Sequence, residues 1–138
     1  MKTAELIREL ELTDTGKLLV MFEGARKAKV GLDEAEVESI AFLLTQREEV
    51  PFGYAFLLNP MPLSTELRQD LDYLLESQYL KKGSPVHIAH KGSNWVSATL
   101  KKIQASEDSL NSLAQAVNEL IVEYRRHAFD LIYTAISG

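Results

Sequence analysis

The stretch "NPMPLSTELRQDLDYLLESQYLKKG", from Asn59 to Gly83, constrains the fold more than any other part of the chain. Pro60 and Pro62 lack the backbone N–H that a helix interior needs, so no helix can run unbroken through them. Ser64 then stands where an N-cap is wanted, and Glu66 falls in the first turn, where its charge complements the helix dipole. Leu67, Leu71, Leu74 and Leu75 form one apolar stripe, leaving Gln69, Asp72, Tyr73 and Glu76 on the opposite side. This spacing predicts a helix from Ser64 to about Tyr79 that must bury one face against the rest of the chain.

The preceding sequence supplies that core. Leu6, Ile7 and Leu10 lie close to helical spacing, and Leu18, Leu19, Met21 and Phe22 follow the "TDTG" break, predicting two short helices with Gly24 a weak point in the second. In "VGLDEAEVESIAFLLTQREE", Val37, Ile40, Ala41 and Leu44 share one face and predict a third helix, ended by Pro51. Phe52, Tyr54 and Phe56 alternate as in an extended segment. After the constraining helix, "KKGSP" reads as a turn and "VHIAH" as a short strand. "KGSN" reads as a hairpin turn and "WVSATL" as a second strand. From Ser106, read as an N-cap, Leu110, Leu113, Val117, Leu120 and Tyr124 step at alternating three and four, the narrow seam of packed helices. Beyond His127 the apolar positions Ala128, Leu131, Ile132 and Ala135 change phase, so the helix either shifts the face it buries or breaks in two.

A chain of 138 residues, 46% of them hydrophobic, is the size of one ordinary domain. With no cysteine there is no disulfide framework, thiol nucleophile or cysteine-based zinc site. The first ten residues carry charges where a signal peptide needs an apolar run, and no run suits a membrane span, so the expected location is the cytoplasm. The formal charge of −5 makes the surface as a whole unattractive to phosphate or anionic lipid, and a nucleic-acid role requires a local basic patch. His87 and His90 point to opposite faces if "VHIAH" is a strand, and no third ligand stands at a recognisable spacing. No phosphate-cradling glycine loop, nucleophile elbow or zinc-protease motif is present. The sequence therefore predicts no catalytic residue, no metal and no cofactor.

Helices, then a helix ending in a two-stranded hairpin, is the order of a winged helix. The residues "PFGYAFLLNPMPLSTELRQDLDYLLESQYL" resemble the YwgA-type and Panacea-type winged-helix proteins, which carry an aromatic strand, a Gly-Pro-aromatic-Ser turn and a helix of the form Glu-Leu-x-x-Asp-Leu-x-x-Leu. Pro60 and Ser64 match parts of that turn, and Glu66, Leu67, Asp70, Leu71 and Leu74 match the helix. Asn59 replaces the usual glycine, and Met61, Pro62 and Leu63 lengthen the turn. The chain also resembles PadR-like regulators in placing long helices after the wing. These resemblances imply a mainly α fold with a small β hairpin, a winged helix-turn-helix with additional C-terminal helices. The expected organisation is one domain over 1–138, with a winged-helix core at about 14–103 and a C-terminal helical segment at about 106–137.

Two functions follow. The first is a DNA-binding transcriptional regulator that presents Arg68 and Gln69 to a groove of double-stranded DNA and Lys81, Lys82 and Lys91 of the wing to phosphates, dimerising through Leu113, Val117, Leu120 and Tyr124. The alternative is a protein-interaction module, as in antitoxins of the SocA type, in which Tyr73 and Glu76 on the acidic helix face meet a basic protein partner. Asp72 and Glu76 oppose the first reading, because like charges disfavour contact with a phosphate wall. Arg26, Lys27 and Lys29 in "ARKAK" read as cations favoured by a helix C-terminus, and Arg125, Arg126 and His127 read equally as a site for an acidic partner or as a solvated face. Trp95 is expected to anchor the hairpin to the core.

Overall fold

A computed structural model describes residues 13–102 and 107–137. The expected first helix at Leu6, Ile7 and Leu10 and the expected cap at Ser106 lie outside the described residues. The fold is mainly helical, with two small antiparallel sheets. Helix α1 (Asp14–Lys27) leads through a single β bridge at Leu32 and a 3-10 turn (Glu34–Glu36) into α2 (Val37–Gln46). Next come a two-residue hairpin of β1 (Leu57–Leu58) and β2 (Pro62–Leu63), helix α3 (Thr65–Glu76), and a second hairpin of β3 (Leu80–Lys81) and β4 (His87–Ile88). Helices α4 (His90–Lys102) and α5 (Glu107–Ser137) complete the chain.

Each start and stop has a local cause. Thr13 caps α1 by accepting the Gly16 N–H, and Arg26 and Lys27 occupy its last turn. Ser64 caps α3 by accepting the Leu67 N–H at 3.2 Å, and it does so from within the core. Leu67, Leu71 and Leu74 are buried as their spacing requires, and Leu75 packs at the core's edge. Phe52 and Tyr54 stack in the extended segment before β1, and Phe56 meets Phe42 of α2 edge-on.

Helix α5 packs on both α1 and α2. Leu113, Val117 and Leu120 are at most 1% exposed within this one chain, joining the cluster that holds Leu18, Phe22, Ile40 and Leu44. Tyr124 is half-buried and bonds Ser39 of α2 at 3.1 Å. The residues of the expected dimer seam thus lie in the chain's own core, which the C-terminal helix shares. Gly24 is a close-approach point: a Cβ there would lie 3.3 Å from Leu113 Cγ, so the absence of a side chain lets α5 settle onto α1. The phase change after His127 is a true break, with His127 at φ −142°, ψ 49° inside α5. Past it, Ile132 is buried while Phe129, Tyr133 and Ile136 face outward.

The expected strand "WVSATL" is overturned, because it lies inside α4. Gly92 and Val96, one helical turn apart, are its buried positions. At Gly92 a Cβ would sit 2.4 Å from the Tyr79 carbonyl oxygen, which fixes the approach of the helix to the hairpin. Packing outweighs the β preference of Trp, Val and Thr here. The hairpin closes instead around residues 82–86, and its second strand is joined to Leu32 through the Val86 N–H, 2.9 Å from the Leu32 oxygen. Trp95 does pack on the core, but from α4, with its ring against Gly16 of α1.

Candidate functional site

The outward side of α3 is where the expected site residues fall, and the neighbouring elements decide what each of them can do. Gln69, Asp72, Tyr73 and Glu76 are exposed, as is Glu66 in the first turn. Tyr73 is 55% exposed, unusually open for so large an apolar side chain. Arg68 is not available beside them. Its Nε donates to Glu38 at 2.6 Å, and its guanidinium also pairs with Glu34 at 3.7 Å. Glu38 lies on α2 and is only 3% exposed, and its other oxygen accepts the Ser64 N–H at 2.6 Å. A carboxylate so removed from water requires a cation and hydrogen-bond donors, and Arg68 supplies the cation. The expected groove-reading arginine is therefore a strut between α2 and the start of α3.

Lys91 is likewise displaced from its expected role. It stands in the first turn of α4, not on a wing, where its Nζ donates to the Ser77 oxygen at 3.0 Å and lies 4.4 Å from the centre of the Tyr79 ring. Lys81 and Lys82 remain on the hairpin, both exposed, with Lys81 opposite His87 in the register. His90 opens α4, and among the described residues no group of three histidine, cysteine or acidic side chains is placed to hold a metal.

On the inner side of α3, Asp70 accepts a hydrogen bond from the Tyr54 hydroxyl at 2.7 Å. Burial first, and then this bond to Asp70, raise the Tyr54 phenol well above its ordinary range. Between Glu34 and Glu38 in sequence stands Glu36, and Arg125 of α5 donates to both its oxygens at 2.8 and 2.9 Å and to the Gly31 oxygen at 2.7 Å. That contact holds the Glu36 carboxyl below its ordinary value. Arg125 is thus tied into the fold, while Arg126 beside it is exposed.

Two surface features had no distinct signal in the sequence. The first is a basic edge. The turn after α1 lies against the second hairpin, with Gly31 so close to Pro85 that a Cβ would clash and with Arg26 and His87 lining one depression of about 140 Å³. Lys27 ends α1 and Lys29 lies in the turn after it, while Lys81 and Lys82 stand on the hairpin that this turn meets, and all four are exposed. Arg26 itself pairs with the buried Glu23. The second is an apolar cleft of about 280 Å³ between the β1–β2 turn and the last turns of α5, lined by Pro60, Met61, Phe129, Ile132, Tyr133 and Ile136. Phe129 and Tyr133 are 67% and 72% exposed there.

Compared with protein-family models, with curated proteins and with solved structures, the chain matches none. Among the described residues no helix is long and apolar enough to cross a membrane.

Proposed function

We propose that this chain is a winged-helix protein-interaction module whose acidic α3 face meets a protein surface, and that it does not read DNA. The order helix, bridge, helix, helix, hairpin, with the small β1–β2 hairpin inserted between α2 and α3 and with Leu32 joined to Val86 beside the β3–β4 pair, supports the winged-helix reading. The observation that carries the function is the outward face of α3. It offers Glu66, Asp72 and Glu76 with the open ring of Tyr73, while its one arginine is held by Glu38 and Glu34. A groove-reading helix needs donors to base edges and cations to phosphates, and the exposed side of α3 offers the Gln69 amide and the Thr65 and Tyr73 hydroxyls but no unpaired cation. Tyrosine is enriched at protein contacts, whose rims are polar.

The DNA reading drew on Arg68, Gln69, Lys81, Lys82 and Lys91, of which Arg68 and Lys91 are engaged inside the chain. Amide resonances of the isotope-labelled protein, followed while random duplex DNA is added at low salt, test the choice. Unmoved resonances from Thr65 to Glu76 are expected, and progressive shifts confined to α3 and the hairpin would refute the proposal.

A further inference from the structure

Among the exposed charges of the described residues that make no ion pair, one positive set and one negative set lie on elements joined in sequence at the second hairpin. Most arginines are satisfied within the chain: Arg26 by Glu23, Arg47 by Glu123, Arg68 by Glu38, Arg125 by Glu36. Lys27, Lys29, Lys81 and Lys82 make no ion pair among the described residues and are exposed, the first two at the end of α1 and in the turn after it, the other two on the second hairpin, which that turn meets through Leu32 and Val86. Glu66, Asp72 and Glu76 are equally without ion pairs and exposed along α3, the helix that leads directly into β3. A positive edge and a negative helix face on one molecule are complementary to each other but cannot meet within it, because α3 and the hairpin are fixed by the same core.

We infer that the partner of the α3 face is a second copy of this chain, which receives the carboxylates of Glu66, Asp72 and Glu76 on its Lys27, Lys29, Lys81 and Lys82 edge. The inference rests on the protein-interaction reading and names its partner. Two chains of net charge −5 repel at long range, so association requires a contact that places opposite local charges together. This pairing does so, and it satisfies both charge sets at once. Tyr73, in the middle of the acidic face, supplies apolar area against the lysine stems, since charges alone set orientation more than affinity. The contact uses none of Leu113, Val117, Leu120 and Tyr124, which the fold has already consumed.

Light scattering coupled to size exclusion tests this on the full chain at low salt and at about 1 M salt, where the screening length is about 3 Å. The expected result is an assembly of two or more copies at low salt that dissociates at high salt. Asp72→Lys with Glu76→Lys, and separately Lys81→Glu with Lys82→Glu, are each expected to weaken self-association by about tenfold or more. An equal mixture of the two variants restores assembly, because each now carries the surface the other lacks. Asp72→Asn with Glu76→Gln gives a milder loss and serves if a reversal perturbs folding, which circular dichroism checks. A monomer at low salt overturns the inference, as does assembly that survives both high salt and the reversals, which would assign it to the apolar cleft at Phe129 and Tyr133. Capture of duplex DNA by the lysine edge overturns it too. A monomer that also ignores DNA leaves the protein-interaction reading standing with another partner, whereas DNA binding on α3 removes both.

Discussion

Glu38 shows how one buried charge decides the role of a residue that looked functional. Its carboxylate is almost fully buried and is satisfied by the Ser64 N–H and Arg68. Replacing Arg68 with Ala leaves that carboxylate without its cation, and because Arg68 is itself 42% exposed, water offsets part of the cost. The expected loss is about 1–3 kcal/mol in chemical denaturation, with no change in any DNA contact. Tyr54 makes a second prediction. Its folded-state value is raised, so the fold binds the phenol proton more tightly than the unfolded chain does. That stability is fully present below the ordinary value of 10.0 and is lost as pH rises above it. Tyr54→Phe should therefore flatten the alkaline limb of a melting-temperature profile. Glu36 has the opposite sign: its value is lowered, chiefly by the Arg125 hydrogen bond, so its contribution is present above 4.5 and is lost as pH falls through the folded value. Glu36→Gln should flatten the acid limb and leave the alkaline one unchanged. The chain separates Arg68 from Glu38 by 30 positions and Arg125 from Glu36 by 89, so neither pairing was legible in the sequence, where each arginine stood only as a free cation.

Elements were legible where their signals are local. Ser64 and the leucines of α3 fix that helix from within a few residues and the structure follows them, although α3 ends at Glu76 and not near Tyr79, and α2 ends at Gln46, ahead of Pro51, with Glu48 in the left-handed region at φ 58°. The break at His127 was also present in the sequence as a change of apolar phase. Helix α4 was missed because Trp95, Val96 and Thr99 favour strands intrinsically, whereas the deciding facts are the approach of Gly92 to Tyr79 and of Trp95 to Gly16. The seam of α5 was misassigned for a different reason. Alternating three and four spacing says that a helix face is buried but not whether the covering surface belongs to the same chain. That distinction makes Gly24 informative: Gly24→Val forces β-branched bulk against Leu113 and should cost about 1–3 kcal/mol in a denaturant titration. If Leu113 instead faced a second copy, the same change would alter assembly and spare the stability of the monomer.

At the scale of the molecule, α1, α2, α3 and α5 share one core, so the charged surfaces are held in fixed relation to each other. The acidic face of α3 was readable from its sequence. The basic edge was not, since it joins the end of α1 to a hairpin more than fifty positions later through the contact of Leu32 with Val86. The proposed function rests on the local acidic face of α3 more than on net charge. Fluorescence anisotropy of a labelled random duplex, titrated at low salt with the wild-type protein and with Asp72→Lys/Glu76→Lys side by side, tests this most directly. No binding by the wild type is expected, with salt-sensitive binding gained by the variant, because the carboxylates of α3 repel phosphate. Wild-type binding at low salt that weakens steeply as salt is added would contradict it.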